Sequence, residues 1–239
     1  NAPSIARAFL DLHRAYRQTQ ERLASLDEAL GRDDVRLQPS PWEEVRDFFH
    51  YCDNYIDAVD RVAEGFAKGR QSPDWIHDKA IKTLHELGIT VQNGDQDATR
   101  IYDPNTKILT ISNRISTETA RFQILLQLAL ISQEKLLEAT LDLARFQSPE
   151  ARAIAKIGLA NYFAGAALMP YKEFLETARM ERHDLERLSS HFGVSIEQVA
   201  HRLSTLQRPG NNGIPFFFVR VDQAGTITKR HSATRLQFA

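Results

Sequence analysis

Residues 121–131, RFQILLQLALI, constrain this chain more than any other stretch. Apolar side chains stand at 122, 124, 125, 126, 128, 129, 130 and 131. A helix apolar nearly all round has no face to offer water, so it belongs inside a core. Its polar exceptions are Arg121 at the start, with Gln123 and Gln127 four residues apart and therefore on one face. The rest of the chain must wrap this helix, and 239 residues suffice for one large or two modest domains. No apolar run reaches the ~18 residues of a membrane span.

Charge is balanced in total but not in place. From residue 200 onward the charged side chains are Arg202, Arg208, Arg220, Lys229, Arg230 and Arg235 against Asp222 alone, a net +5 in a chain of net charge -1. A basic end on a near-neutral protein points to an anionic partner, either a phosphorylated small molecule or nucleic acid; an ordinary solvated surface is the competing reading. The lone Cys52 excludes an internal disulfide and any four-cysteine metal or cluster site in this chain. With no charged-then-apolar leader, the expected location is the cytoplasm. The sequence opens mid-pattern at Asn1, and a fragment of a longer protein is expected.

In chain order, helical spacing of Ile5, Ala8, Phe9, Leu12, Tyr16, Leu23, Leu26 and Leu30 predicts a long amphipathic helix over 4–30. Residues 31–41 carry two prolines and read as a linker. Ser40 as N-cap and Pro41 near N1 then open a second helix, expected over 42–68. That stretch holds Phe48, Phe49, His50, Tyr51, Tyr55 and Phe66 among Arg46, Asp53, Asn54, Asp57 and Asp60. Aromatics at helical spacing are usually core; the mixture of His50, Tyr51 and Tyr55 with polar neighbours leaves room for a ligand-facing flank. A shorter helix over 73–86 closes at Gly88. Strand signals follow at 89–93, 100–103 and 107–112, the last two flanking Asp103-Pro-Asn-Thr as a hairpin. The buried helix, 117–131, comes next.

Helices are expected over 148–170 and 171–182. In 184–206, a helix, Gly193, Ser195 as N-cap and a second helix have the spacing of a helix-turn-helix. Its second helix offers Glu197, Gln198, His201 and Arg202, a thin set for reading a groove, so a packing role is expected. A strand over 214–221 carries Phe216, Phe217 and Phe218 in succession, which implies apolar cover on both faces. Residues 222–225 read as a turn into a last strand at 226–230.

The stretch 121–170 resembles the catalytic domain of ImmA/IrrE-type metallopeptidases. In those enzymes a helix reading Arg-Phe-x-x-x-His-Glu-x-x-His is followed by Glu-Ala-Asn-x-Phe-Ala and a Leu-Met-Pro close. Here Arg121-Phe122, Ala160-Asn161-Tyr162-Phe163-Ala164 and Leu168-Met169-Pro170 match. The resemblance sets Leu126, Leu130 and Leu159 at the three zinc-ligand positions and Gln127 at that of the general base. Leucine has no lone pair for zinc, and a glutamine amide does not accept a proton as a carboxylate does. Hydrolysis at this site is therefore not expected.

A longer set of motifs is similar to the bacterial regulators of short-chain fatty acid and propionate metabolism that respond to coenzyme A thioesters. It comprises Val45-Arg46-Asp47-Phe48-Phe49, Asn54-Tyr55, 158–164, Gly193-Val194-Ser195, His201-Arg202-Leu203, 206–210, 215–222 and Lys229-Arg230. The resemblance implies an α+β fold, mostly helical with a small mixed or antiparallel sheet, around a degenerate zincin-like core. Residues 1–70 would be helical linker, dimerisation and ligand-flanking elements, and 71–239 the sensor. It also implies a short-chain acyl-CoA as ligand with no other cofactor and no metal, promoter DNA bound through a domain absent from this chain, a homodimer, and no membrane contact.

Coenzyme A needs cations or N–H donors for its phosphates, a stacking partner for adenine and a narrow apolar path for its acyl arm. The candidate ligand-binding residues are His50, Tyr51, Tyr55, Lys82, Arg100, Gln127, Tyr162, Arg202, Arg208 and Arg220. Leu126, Leu130, Leu159 and Phe217 are candidates for an acyl pocket, with plain core as the other reading of the three leucines. A second function class stays open, a DNA- or protein-interaction module using 184–206 and the basic end.

Overall fold

The computed structural model describes residues 40–221 and 227–232. The helix and linker expected before residue 40, and the turn at 222–225, lie outside the described residues. Chain contacts divide the protein into Asn1–Pro39 and Ser40–Ala239, and every described element belongs to the second unit.

Helix α1 spans Pro41–Tyr51. Its start is local chemistry: the Ser40 side chain accepts from the Glu43 backbone N–H, Glu43 reaches back to the Ser40 N–H, and Pro41 sits in the first turn. The single helix expected over 42–68 is in fact two, α1 and α2 (Asp57–Phe66). The break lies at Asp53 and Asn54, with φ of 50° and 56°. Asp and Asn tolerate this left-handed region because their short polar side chains bond locally. The bend drops Asn54, Tyr55 and Ile56 into the interior.

Helix α3 (Pro73–Glu86) leads through Leu87 and Gly88 into strand β1 (Thr90–Gly94). Strands β2 (Arg100–Asp103) and β3 (Ile108–Ser112) form the expected hairpin. Its turn is held by Asp103, whose Oδ1 accepts from the Asn105 N–H at 2.9 Å. The sheet order is β1-β3-β2, with β1 parallel to β3 and β2 antiparallel to it, so the small sheet is mixed.

Helix α4 (Thr117–Ser132) contains the apolar stretch 121–131; it is capped by Ser116 and buried at 124–129. A further helix, α5 (Glu134–Ala144), fills a stretch for which the sequence predicts no element. Its left-handed C-cap is Arg145 rather than a glycine, so the usual stop signal is missing. The longest described helix, α6 (Pro149–Leu168), is apolar on nearly every side and packs against α4, α2, α1 and α5. Helices α7 (Tyr171–Met180), α8 (Leu185–Phe192) and α9 (Ile196–Leu203) follow. Gly193, at φ 62°, ends α8, and a capping box of Ser195 with Gln198 starts α9.

Strands β4 (Phe217–Val221) and β5 (Ile227–Ser232) form a separate antiparallel ribbon. Here one expectation fails: the run Phe216-Phe217-Phe218 is not covered on both faces, since Phe217 is 53% exposed. A two-stranded ribbon has no second layer to bury its outer face. Among the described residues no helix is long and apolar enough to cross a membrane.

Candidate functional site

One cleft in the described unit is lined by polar side chains together with a few aromatic and glycine positions. It holds about 410 Å³, at the lower end of the roughly 300–1,000 Å³ usual for small-molecule sites. Helix α6 supplies one wall through Gly158, Asn161, Tyr162, Gly165 and Ala166. These follow the i, i+3, i+4, i+7, i+8 pattern, so one helical face looks into the cleft. Helix α4 adds Thr119, Phe122 and Gln123; α9 and its cap add Ser195, Glu197, Gln198, His201 and Arg202; Phe49, Asn54 and Thr205 complete the lining.

Arg100 on β2 braces the α4 wall. Its Nη1 donates to Gln123 Oε1 at 2.5 Å and its Nε to Gln127 Oε1 at 3.1 Å. Burial pulls the Arg100 pKa down from its ordinary value. The two glutamines that share a face in the sequence thus share one guanidinium in the fold.

Beneath the cleft lies a charged centre built on Asp60, which is 0% exposed. Arg202 Nη1 donates to Asp60 Oδ2 at 2.7 Å, Arg208 Nη2 to Asp60 Oδ1 at 3.0 Å, and the Tyr162 hydroxyl to Asp60 Oδ2 at 2.7 Å. Arg208 also donates to Glu64 Oε2 at 2.9 Å and to the Tyr55 hydroxyl at 2.7 Å. Arg202 Nε donates to the Met169 carbonyl at 2.9 Å. Two guanidiniums against two carboxylates leave the cluster formally neutral, which is how an interior holds charge. Burial pulls the Arg202 pKa down more than any other single cause, but the charge of Asp60, the Tyr162 oxygen and the hydrogen bonds to both together outweigh it, and the net shift is upward. Burial, then the Asp60 charge, hold the Tyr162 hydroxyl well above its usual range.

The sequence candidates separate into three groups. Tyr162 and Arg202 line the cleft, and Arg100 and Gln127 stand directly behind its wall through Gln123. Tyr55 and Arg208 belong to the Asp60 centre, where Arg208 lies 4.0 Å from the Tyr171 ring centroid. The others are elsewhere. Lys82 is on an exposed face of α3 beside Asp78 and Glu86, and Tyr51 and Phe217 are exposed. His50 is half-buried on α1 and absent from the cleft lining, and the Arg220 side chain is outside the described residues.

Leu126 and Leu159 are core residues, 2% and 0% exposed, while Leu130 packs partly buried against the same core. None of the three lines the cleft. As donors for zinc they do not fit: their hydrocarbon ends carry no lone pair, and Gln127 spends its oxygen on Arg100.

Sequence reasoning missed Asp60, Phe122, Gln123 and the two cleft glycines as site residues. A signal for Asp60 was present. Val59 and Ala63 of α2, with the caps Ile56 and Ala67, define a buried stripe, and a carboxylate at 60 falls within it. The glycines carried one too, since a helix-interior glycine costs about 1 kcal/mol against alanine and asks for a spatial reason.

Comparison with known proteins bears on the same regions. Residues 83–204 match the IrrE N-terminal-like domain family. Residues 205–239 match the C-terminal part of the short-chain fatty acyl coenzyme A regulators. The chain is 68% identical over 239 residues to a propionyl-CoA carboxylase regulator of Cereibacter sphaeroides, covering 100% of this chain and 51% of that protein. It is 40% identical to the HTH-type transcriptional regulators RamB, over 99% of this chain and 52% of that one, and PrpR, over 99% and 50%, both from Mycobacterium tuberculosis. A solved Mycobacterium tuberculosis transcriptional regulator superposes with a TM-score of 0.78 at 44% identity, covering 84% of this chain and 62% of the other. The chain spans about half the length of the curated relatives it matches.

Proposed function

Since the chain belongs to the IrrE N-terminal-like family, in the form that continues into the C-terminal part of short-chain fatty acyl coenzyme A regulators, we propose that it is the ligand-sensing part of a bacterial transcription regulator. Its ligand on this reading is a short-chain acyl-CoA such as propionyl-CoA, bound and not turned over. The observation that carries the reading is a cleft walled by α4 and α6, the two helices on which the resemblance to the peptidases sets leucine at the zinc-ligand positions. What remains is a cleft with Phe49, Phe122 and two glycines for an apolar arm, and amide and hydroxyl groups that can meet the amides of pantetheine.

The phosphates of coenzyme A need positive charge, and two of the expected cations are already engaged. Arg202 and Arg208 neutralise Asp60 and Glu64, so they support the floor rather than clamp phosphate. Arg100 is likewise spent, on Gln123 and Gln127 behind the wall, so the role passes to the β4–β5 ribbon, where Arg220 and Lys229 are register partners. That ribbon adjoins α9, with Phe218 set edge-on to the cleft residue His201 at 6.4 Å. Promoter DNA would be held by segments outside this chain, within a homodimer in the cytoplasm. Ligand binding would act by favouring one arrangement of those segments.

Calorimetric titration of the 239-residue chain with acetyl-, propionyl- and butyryl-CoA, with melting curves alongside, tests this. Saturable binding of at least one thioester is expected, with a rise in Tm of roughly 5–10 °C at a hundredfold excess over Kd. Silence towards all three at millimolar concentration removes the reading. A salt-sensitive gel shift of this chain on promoter DNA, without thioester binding, would favour an interaction module built on α8 and α9.

A further inference from the structure

Helix α6 carries two interior glycines on its cleft face, and the space around them differs. A Cβ on Gly158 would meet Phe49 Cε2 at 2.9 Å and Cζ at 3.0 Å. The missing side chain there is filled by the Phe49 ring, which lies against the helix backbone and is itself held edge-on by Phe48 at 5.1 Å. Among the described residues, a Cβ on Gly165 would meet nothing within 4 Å. The residue lines the cleft. The first glycine has a packing reason, and the described residues give the second none.

Resting on the acyl-CoA reading above, we propose that the two glycines of α6 set ligand selectivity. Gly165 leaves bare helix backbone across which the thin arm of the thioester lies, and Gly158 seats Phe49 as the end wall that limits acyl length. Seven residues of helix separate them, about 10 Å of axial rise. That distance accommodates the end of a pantetheine arm and a short acyl group. The orientation follows from the ribbon: α9 brings Glu197, His201 and Arg202 into the cleft and meets the strands whose sequence holds Arg220, Lys229 and Arg230. The phosphates belong at the α9 end and the acyl group at Phe49. Phe122, on the facing wall, adds apolar surface.

This assignment separates stability from binding in a way that a packing role does not. Gly165→Ala improves helix propensity and touches nothing, so the ligand-free chain should melt roughly 2 °C higher. The same methyl enters the ligand's path and should weaken propionyl-CoA binding at least tenfold, with Gly165→Val weaker again. Phe49→Leu, a milder change than alanine, should move the end wall back. Preference between hexanoyl- and propionyl-CoA should then shift at least tenfold towards hexanoyl, with free coenzyme A affected less than threefold.

The measurements are calorimetric Kd values for free, propionyl- and hexanoyl-CoA on the wild-type chain and the three variants, each with its Tm. If the wild type binds no thioester, the functional reading fails before the variants are consulted. If it binds and Gly165→Ala binds as tightly as wild type, or Phe49→Leu alters all three ligands by one factor, the selectivity assignment is overturned while the functional reading stands. A variant that melts lower than wild type and loses every ligand equally also counts against it.

Discussion

Two interior regions meet on helix α6 and hold themselves together by opposite means. Around Leu159 the helix packs into the apolar core that it shares with α4. Three residues on, Tyr162 enters the Asp60 centre, where two guanidiniums, two carboxylates and two phenols interlock. The leucine region asks for volume and shape. The Asp60 region asks that every donor and acceptor be met, because an unpaired charge at zero exposure has no water to turn to. A near-isosteric substitution should therefore be mild in the first and severe in the second.

The sharpest test of that contrast is Asp60→Asn, which keeps the shape and removes the charge. Arg202 is then left buried against Asn and Thr205, and the expected loss is roughly 3–5 kcal/mol in urea unfolding. Replacing Asp60 by Leu together with Arg202 by Met should recover part of it. A loss below about 1 kcal/mol from Asp60→Asn would mean that the carboxylate does not hold the centre. Leu159→Ala comes next, at roughly 2–5 kcal/mol for the lost contacts and the cavity, whereas Leu159→Met should cost less than about 1.5 kcal/mol. Equal costs for Met at 159 and Asn at 60 would erase the distinction.

The smallest effect appears only in alkali. Burial first, and the Asp60 charge second, raise the folded Tyr162 pKa above its unfolded value near 10. Below that value both states keep the proton and the stabilisation is fully present. As the pH rises through about 10 the unfolded chain loses its proton first, so stability falls. Urea midpoints between about pH 9 and 11 should show this decline, and Tyr162→Phe should flatten it. An unchanged slope in that variant would assign the decline to other groups.

Much of the fold was legible because local chemistry decides it. The caps at Ser40 and Ser195, the hairpin at Asp103 and the helices of 117–132 and 149–168 all follow from neighbours within a few residues. The break at Asp53-Asn54 and the helix at 134–144 escape a sequence reading for related reasons. Two left-handed residues leave the aromatic periodicity around them intact, and a helix capped by Arg145 lacks its glycine signature. The site was less legible. The basic residues of the C-terminal stretch suggest ligand contacts, yet Arg202 and Arg208 turn inward to carboxylates more than 140 positions earlier.

The sequence by itself determined that α4 is buried and that positive charge gathers near the C-terminal end of the chain. Those properties reside in residue type and short-range spacing. Only the tertiary structure decided which arginines are spent internally, that the cleft lies along α6 rather than at the leucines, and that one glycine is filled by Phe49 while the other stands open. Such facts depend on which distant side chains arrive at a given point. That is settled by packing and by the pairing of buried charge, for which spacing along the chain carries no record.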